Sequence, residues 1–251
     1  MKSFTHPSRV VALAFLALIA IGTALLMLPV SHAPGVQTPW LTALFTAVSA
    51  VCVTGLTVVD TGTHWSGFGQ AVILVLFQFG GFGIMTAATL LGLMVNRSLR
   101  LRTQLLTQAE THTVALGDVR SVAKVVLGVT AFCELGLTAV LAVRLHASYA
   151  MPWPEALWSG FFHAVSAFNN AGFGLHGDSL MRYASDAWIL LPIMVAIVVG
   201  GLGFPVMQDI RARWHDPRHW SLHTKLTLVG TAALLLLGLV SMLVFEWSNP
   251  K

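Results

Sequence analysis

Charge is what this chain lacks. Asp, Glu, Lys and Arg make up 10% of its 251 residues and 56% are hydrophobic, whereas roughly a quarter of an ordinary soluble domain is charged. That balance excludes a water-facing globule and puts the chain in a bilayer. Cysteine is nearly absent as well. Cys52 and Cys133 are isolated inside apolar runs, which excludes a disulfide framework and a metal-spacing motif. Glu134 is the only carboxylate deep within a long apolar run, so a membrane-embedded enzyme would lack the converging acids and histidines its chemistry needs. The formal charge of +4 does not point to nucleic acid, because the basic residues sit in short connections rather than on one soluble face.

What is present is apolar sequence in two lengths. Stretches 10–30, 67–95, 125–143, 187–207 and 226–245 carry one charge or none and reach the ~20 residues that ~30 Å of hydrocarbon requires. The first resembles a secretory leader, since Lys2 and Arg9 precede it. It is longer than a leader core and has no small-residue cleavage site before Ser31, so it is expected to stay in the mature protein. Two further stretches, 41–53 and 156–171, are too short to span comfortably, and each runs into a glycine-bearing polar segment. If both re-enter from outside, Lys2, Arg9, Arg97, Arg100, Arg102, Arg120, Lys124, Arg211, Arg213, Arg218 and Lys225 share one side, eleven of the fourteen basic residues. If both cross, the large basic clusters fall on opposite sides, against the positive-inside rule. Helices lying on the outer surface are the alternative, but these stretches have almost no charge for a polar face. Re-entry places irregular backbone at membrane depth, which is tolerated only where protein buries it or water reaches it.

The two short stretches are related. Phe45-Thr46-Ala47-Val48-Ser49-Ala50 aligns with Phe162-His163-Ala164-Val165-Ser166-Ala167, the serines lying 117 residues apart, and the same offset sets Gly55 opposite Gly172. Downstream, Gly80-Gly81-Phe82-Gly83 matches Gly200-Gly201-Leu202-Gly203. The unit is helix, loop, helix, used twice in one direction.

The runs from Thr46 to Thr57, from Gln78 to Thr86 and from Phe162 to Phe173 resemble successive signatures of the Trk/Ktr/HKT superfamily of potassium transporters, most like its Ktr-type membrane subunit. The resemblance covers essentially the whole chain. It implies an all-α integral membrane fold of parallel helix–pore-loop–helix repeats around a cation pore. Two repeats are complete, 1–95 and 119–208; 96–118 is a cytoplasmic amphipathic connection, 209–225 a cytoplasmic basic linker, and 226–251 the first helix of a third repeat. Four such units surround one pore in the family, so the chain is expected to be a truncated or natural fragment of a larger subunit. The implied function is potassium uptake through a carbonyl-lined filter in the plasma (inner) membrane, with the N-terminus cytoplasmic. The implied partners are a second copy of the subunit and a cytosolic nucleotide-binding regulatory ring, with no nucleic acid, no cofactor and no metal other than transported K+. A sodium-permeable relative is the nearest alternative, Gly55 standing where sodium-leaning members carry Ser; a non-conducting subunit or an embedded enzyme are the others.

A filter replaces an ion's hydration shell with oxygens, which main-chain carbonyls supply where glycine lets the chain take the shape. By the resemblance those ligands come from Val53, Thr54 and Gly55 and from Asn170, Ala171 and Gly172. The helices 41–51 and 154–168 then aim their negative C-terminal ends at the ion. Asp60 and Asp178 follow the filters and either gather cations at the outer mouth or are solvated loop residues. Gly80, Gly81, Gly83, Gly200, Gly201 and Gly203 are read as helix-packing positions, and Glu134 as a hydrogen-bonded or charge-paired carboxylate rather than a proton relay. His215, His219 and His223 recur every fourth residue, but Pro217 interrupts them, so interfacial linker histidines, with Trp214 and Trp220 near the headgroups, are favoured over a metal site.

The topology is open to cysteine labelling. Cysteines placed at Gly62 and Asp178 should react with an impermeant reagent from outside and one at Arg102 should not; external labelling at Arg102 would overturn the re-entrant arrangement.

Overall fold

A computed structural model of the chain describes residues 7–83 and 116–247. The described residues are helical apart from connecting segments and divide into two compact units, Met1–Gly201 and Leu202–Lys251. The first holds α1 (Pro7–Leu26), α2 (Trp40–Val51), the short α3 (Thr61–His64), α4 (Gly67–Gly83), α5 (Leu116–Tyr149), α6 (Trp153–Phe168) and α7, which is Ala187–Leu202 and ends at the unit boundary. The second holds α8 (Phe204–Ala212) and α9 (Leu222–Glu246).

By length and composition two helical stretches are fit to cross a membrane, Val126–Tyr149 within α5 and Leu222–Glu246, and a third if α7 and α8 count as one broken span. Val11–Leu26 and Gly67–Gly83 are apolar but shorter. Five spans were expected. The stretch expected at 187–207 is interrupted, because α7 stops at Leu202 and Gly203 takes a φ of 81°, a left-handed conformation that glycine adopts without strain. Gly203 therefore lies at a helix break rather than inside a packed helix. The stretch 84–95 and most of the amphipathic connection expected at 96–118 lie outside the described residues. The two short apolar stretches form α2 and α6, of 12 and 16 residues. Both start from a proline, Pro39 and Pro152, whose fixed φ suits entry into a helix.

In the first unit α1 packs on α2 and α5 on α6. One buried cluster joins Ala43, Ala47 and Ala50 of α2, Ile73 and Phe77 of α4 and Phe162 and Val165 of α6; another joins Leu137 and Leu141 of α5, Ala164 and Ala167 of α6 and Ile189 and Ile193 of α7. The alanines of α6 face α5 and its larger residues face α4, so α6 is buried on both sides. Lipid is as apolar as leucine, so close packing rather than water exclusion holds such helices together. Phe77 meets Phe162 edge-on at 5.6 Å and stacks with Phe173 at 5.9 Å, contacts of about 0.5–1.5 kcal/mol each. Glycine sets the closest approaches: a side chain on Gly80 would strike the carbonyl of Val51, the last residue of α2, and one on Gly200 the carbonyl of Phe168, the last residue of α6.

Polar groups brace the ends. Trp158 donates its indole N–H to Gln70 Oε1 at 2.8 Å, fastening α6 to α4. Arg144 of α5 pairs with Asp186 at 2.9 Å, and Tyr149 donates to the same carboxylate oxygen at 3.1 Å. In the second unit Asp209 accepts from the Thr224 hydroxyl at 2.6 Å and the Ser221 amide at 2.8 Å, tying α8 to the start of α9.

The Arg144 guanidinium holds the Asp186 carboxyl below its ordinary 3.8, so the pairing stabilises the fold above that value and is lost as pH falls through the lowered one. Asp186→Asn should lower the melting temperature in detergent near neutral pH, and the gap to the parent should shrink in acid as the parent carboxyl takes up its proton. A gap indifferent to pH would show that the charge of Asp186 does not contribute.

Candidate functional site

The turns that follow α2 and α6 share their backbone bond for bond. After α2, the amides of Cys52, Val53 and Thr54 donate to the carbonyls of Val48, Ala50 and Ser49 at 2.8, 3.1 and 3.0 Å. After α6, the amides of Asn169, Asn170 and Ala171 donate to Val165, Ala167 and Ser166 at 3.1, 3.1 and 2.8 Å. Val53 and Asn170 then take φ of 55° and 56°, and Gly55 and Gly172 take 70° and 72°. Asparagine tolerates the left-handed region; a β-branched valine there is an outlier, costing on the order of 1–3 kcal/mol that the surroundings must hold in place.

The turns meet at their glycines. A Cβ on Gly55 would lie 2.9 Å from the carbonyl oxygen of Ala171 and 2.9 Å from Cα of Gly172, and a Cβ on Gly172 would lie 2.9 Å from Cα of Gly55. Real Cβ atoms do not approach that closely, so both positions require glycine for space as well as for φ. Among the described residues, none of the carbonyl oxygens of Val53, Thr54, Gly55, Asn170, Ala171 and Gly172 accepts a hydrogen bond from the protein. Thr54 and Gly172 are exposed, and Ala171 is fully buried.

Each turn has its own supports. The Thr54 hydroxyl donates to Ser49 Oγ at 3.0 Å, and the Ser166 hydroxyl donates to Phe173 O at 2.7 Å. His163, buried in α6, has Nδ1 at 2.7 Å from the Ser159 carbonyl and receives the Leu175 amide on Nε2 at 3.4 Å. A carbonyl only accepts, so Nδ1 carries the proton. The Asn169 amide nitrogen donates to Gln78 Oε1 at 2.7 Å, Val165 O at 2.9 Å and Glu134 Oε1 at 3.1 Å, and Gln78 donates to Glu134 Oε2 at 3.2 Å. A side chain on Gly81 would collide with Asn169 Oδ1, and one on Gly83 would come 2.8 Å from the Phe15 ring. With its amide turned to satisfy both neighbours, Asn170 donates to Ile197 O and accepts from Gly201 N, each at 3.2 Å.

Asp60 caps α3, accepting from the amides of Gly62 at 2.7 Å and Thr63 at 3.1 Å. Its other oxygen lies against Gly177, and Gly62 lies against the Leu175 carbonyl, so the loops beyond the two turns also touch. Asp178 is paired with Arg182 at 2.8 Å, whose hydrogen bond holds its carboxyl below the ordinary value. Burial pushes the neighbouring His176 imidazole below its ordinary value. Among the described residues no three His, Cys, Asp or Glu side chains converge as metal ligands; His219 instead pairs with Asp216 at 2.6 Å.

The structure thus brings Gly55 against Ala171 and Gly172, while Val53, Thr54 and Asn170 lie on the same two turns and Asp60 and Asp178 in the loops that follow them. Sequence reasoning missed the partners of Glu134. Their only signal was an amide, Gln78, in an otherwise apolar stretch.

Comparison with known proteins adds a lineage. The chain matches the TrkH cation transport protein family over residues 2–247. It is 41% identical to the Ktr system potassium uptake protein B of Bacillus subtilis (97% of this chain, 54% of the relative). It is 37% identical to the protein of the same name from Vibrio alginolyticus (97% and 53%) and 34% to the potassium/sodium uptake protein NtpJ of Enterococcus hirae (96% and 52%). The chain spans about half the length of the curated relatives it matches. Long apolar helices and this ancestry make it an integral membrane protein of a transport lineage rather than an enzyme, and the chain belongs to the TrkH family of cation transport proteins.

Proposed function

We propose that the turns after α2 and α6 are two of the oxygen-lined filter loops of a potassium uptake pathway. α1 and α4 frame the first, and α5 and α7 the second. The carrying observation is that, among the described residues, the six main-chain carbonyls of 53–55 and 170–172 have no hydrogen-bond donor although they sit in an apolar chain, on turns whose glycines touch. An unmatched carbonyl at membrane depth costs several kcal/mol. A dehydrated cation repays that cost by taking the oxygens in place of water. α2 and α6 end at these turns, so their negative helix ends favour the same ion.

On this reading the units are parallel, 1–95 and 119–208, with 226–251 opening a third, and the whole pore needs sequence of the kind that makes the relatives about twice as long. The basic connections face the cytoplasm and Asp60 and Asp178 the outer mouth. Asp178 is already neutralised by Arg182, which leaves Asp60 the stronger cation-gathering candidate. A second copy in the membrane and a cytosolic nucleotide-binding ring remain the expected partners by family. Potassium is favoured over a mixed potassium/sodium pathway because Gly55 has no room for a side chain, although the Enterococcus relative carries both ions in its name.

Gly55→Ser tests the assignment. Its Cβ and hydroxyl would push on Ala171 and Gly172 and disturb both turns. In the complete transport protein the potassium-to-sodium uptake ratio, normalised to protein in the membrane, should fall about tenfold, equivalent to about 1.4 kcal/mol. Gly83→Ser, which presses on the Phe15 ring away from the turns, should reduce the amount of protein and leave the ratio alone. A ratio untouched by Gly55→Ser would place the filter elsewhere.

A further inference from the structure

We infer that Glu134 is a positioning residue for ion selectivity, acting through Gln78 and Asn169 as an acceptor-only clamp on the second turn. This rests on the filter reading above.

The argument follows the direction of each hydrogen bond. The Val165 carbonyl can only accept, so the Asn169 group 2.9 Å from it is the NH2. That NH2 also faces Gln78 at 2.7 Å, so Gln78 presents its oxygen there and turns its own NH2 to Glu134 Oε2 at 3.2 Å. Glu134 Oε1 meets the Asn169 NH2 at 3.1 Å. Both oxygens of residue 134 therefore face donors, which the two acceptor oxygens of a carboxylate satisfy. An amide at 134 sets a donor against a donor. Glu134 is 6% and Asn169 6% exposed, so water does not relieve a mismatch at low cost.

The clamp acts at the place where selectivity is set. Asn169 caps α6 and directly precedes Asn170, Ala171 and Gly172, and its Oδ1 is pinned against Gly81. A tilt of the Asn169 side chain is passed to the left-handed Asn170 next to it. Among the described residues the first turn shows no counterpart: the residue at the matched place is Cys52, which is exposed. The two turns are alike in backbone and differ in what holds them from behind.

An exchange of partners tests this. In the complete transport protein, Glu134→Gln should lower the potassium-to-sodium uptake ratio, per protein in the membrane, by about tenfold. Gln78→Glu alone, which sets two carboxylates side by side, should lower it as well. The double variant Glu134→Gln/Gln78→Glu puts the acceptor-only group on α4, matches every donor to an acceptor again, and should return the ratio to within about twofold of the parent. Gln78→Leu, which keeps the direct Glu134–Asn169 bond, guards against single variants that do not assemble; it should shift the ratio in the same direction but less. Variants that lower the amount of protein while the ratio holds, or a double variant that folds yet keeps the altered ratio, would overturn the inference. If the cycle moves the ratio and Gly55→Ser does not, the filter reading fails instead.

Discussion

Main-chain oxygens to which no described residue donates govern this structure. Helices satisfy their own backbone, and the bilayer admits little else. After α2 and after α6 the chain leaves the helix through three inward hydrogen bonds, turns left-handed, and presents carbonyls to which no described residue donates. The arrangement is stable only if something polar takes those oxygens and if the strained turn is held from outside. The rest of the first unit serves the second need.

That support is assembled from contacts of different kinds. Gly80 and Gly200 let α4 and α7 approach the last carbonyls of α2 and α6. Ser49 with Thr54, and Ser166 with Phe173, tie each turn to its own helix. His163 holds the stretch beyond the second turn through the Leu175 amide. Behind the second turn lies the buried Glu134 network, where the carboxyl group within a span meets the amides of Gln78 and Asn169. Buried polar groups of this sort stabilise little on balance but fix one arrangement, because each alternative leaves a donor or an acceptor unmatched. Geometry that must hold to a fraction of an ångström benefits from that kind of constraint.

The glycine pair at the centre shows how one residue type meets two demands. Gly55 and Gly172 have positive φ, which alone would admit Asn at some cost, as Asn170 shows. Their mutual approach removes that option, since a Cβ on either would strike the other's backbone. Conformation and space together leave glycine, and for that reason the pair is the most informative feature of the site.

Much of this was legible in the amino-acid order. A chain so poor in charge has to sit in lipid. The recurrence of Ala-Val-Ser-Ala ahead of Gly55 and Gly172 marked the two turns and their register, because local hydrogen bonding at a helix end depends on residues close in sequence. The family followed from the same runs. The break at Gly203 was not legible, because an apolar stretch looks the same whether its helix is continuous or interrupted at a glycine. Nor were the meeting of Gly55 with Gly172, the pairing of Arg144 with Asp186, or the partners of Glu134. Gln78 of α4, Glu134 of α5 and Asn169 at the end of α6 lie far apart in sequence, and hydropathy records that such groups are buried without recording which donor finds which acceptor. Long-range pairing is decided by how the helices pack, and only the tertiary structure shows it.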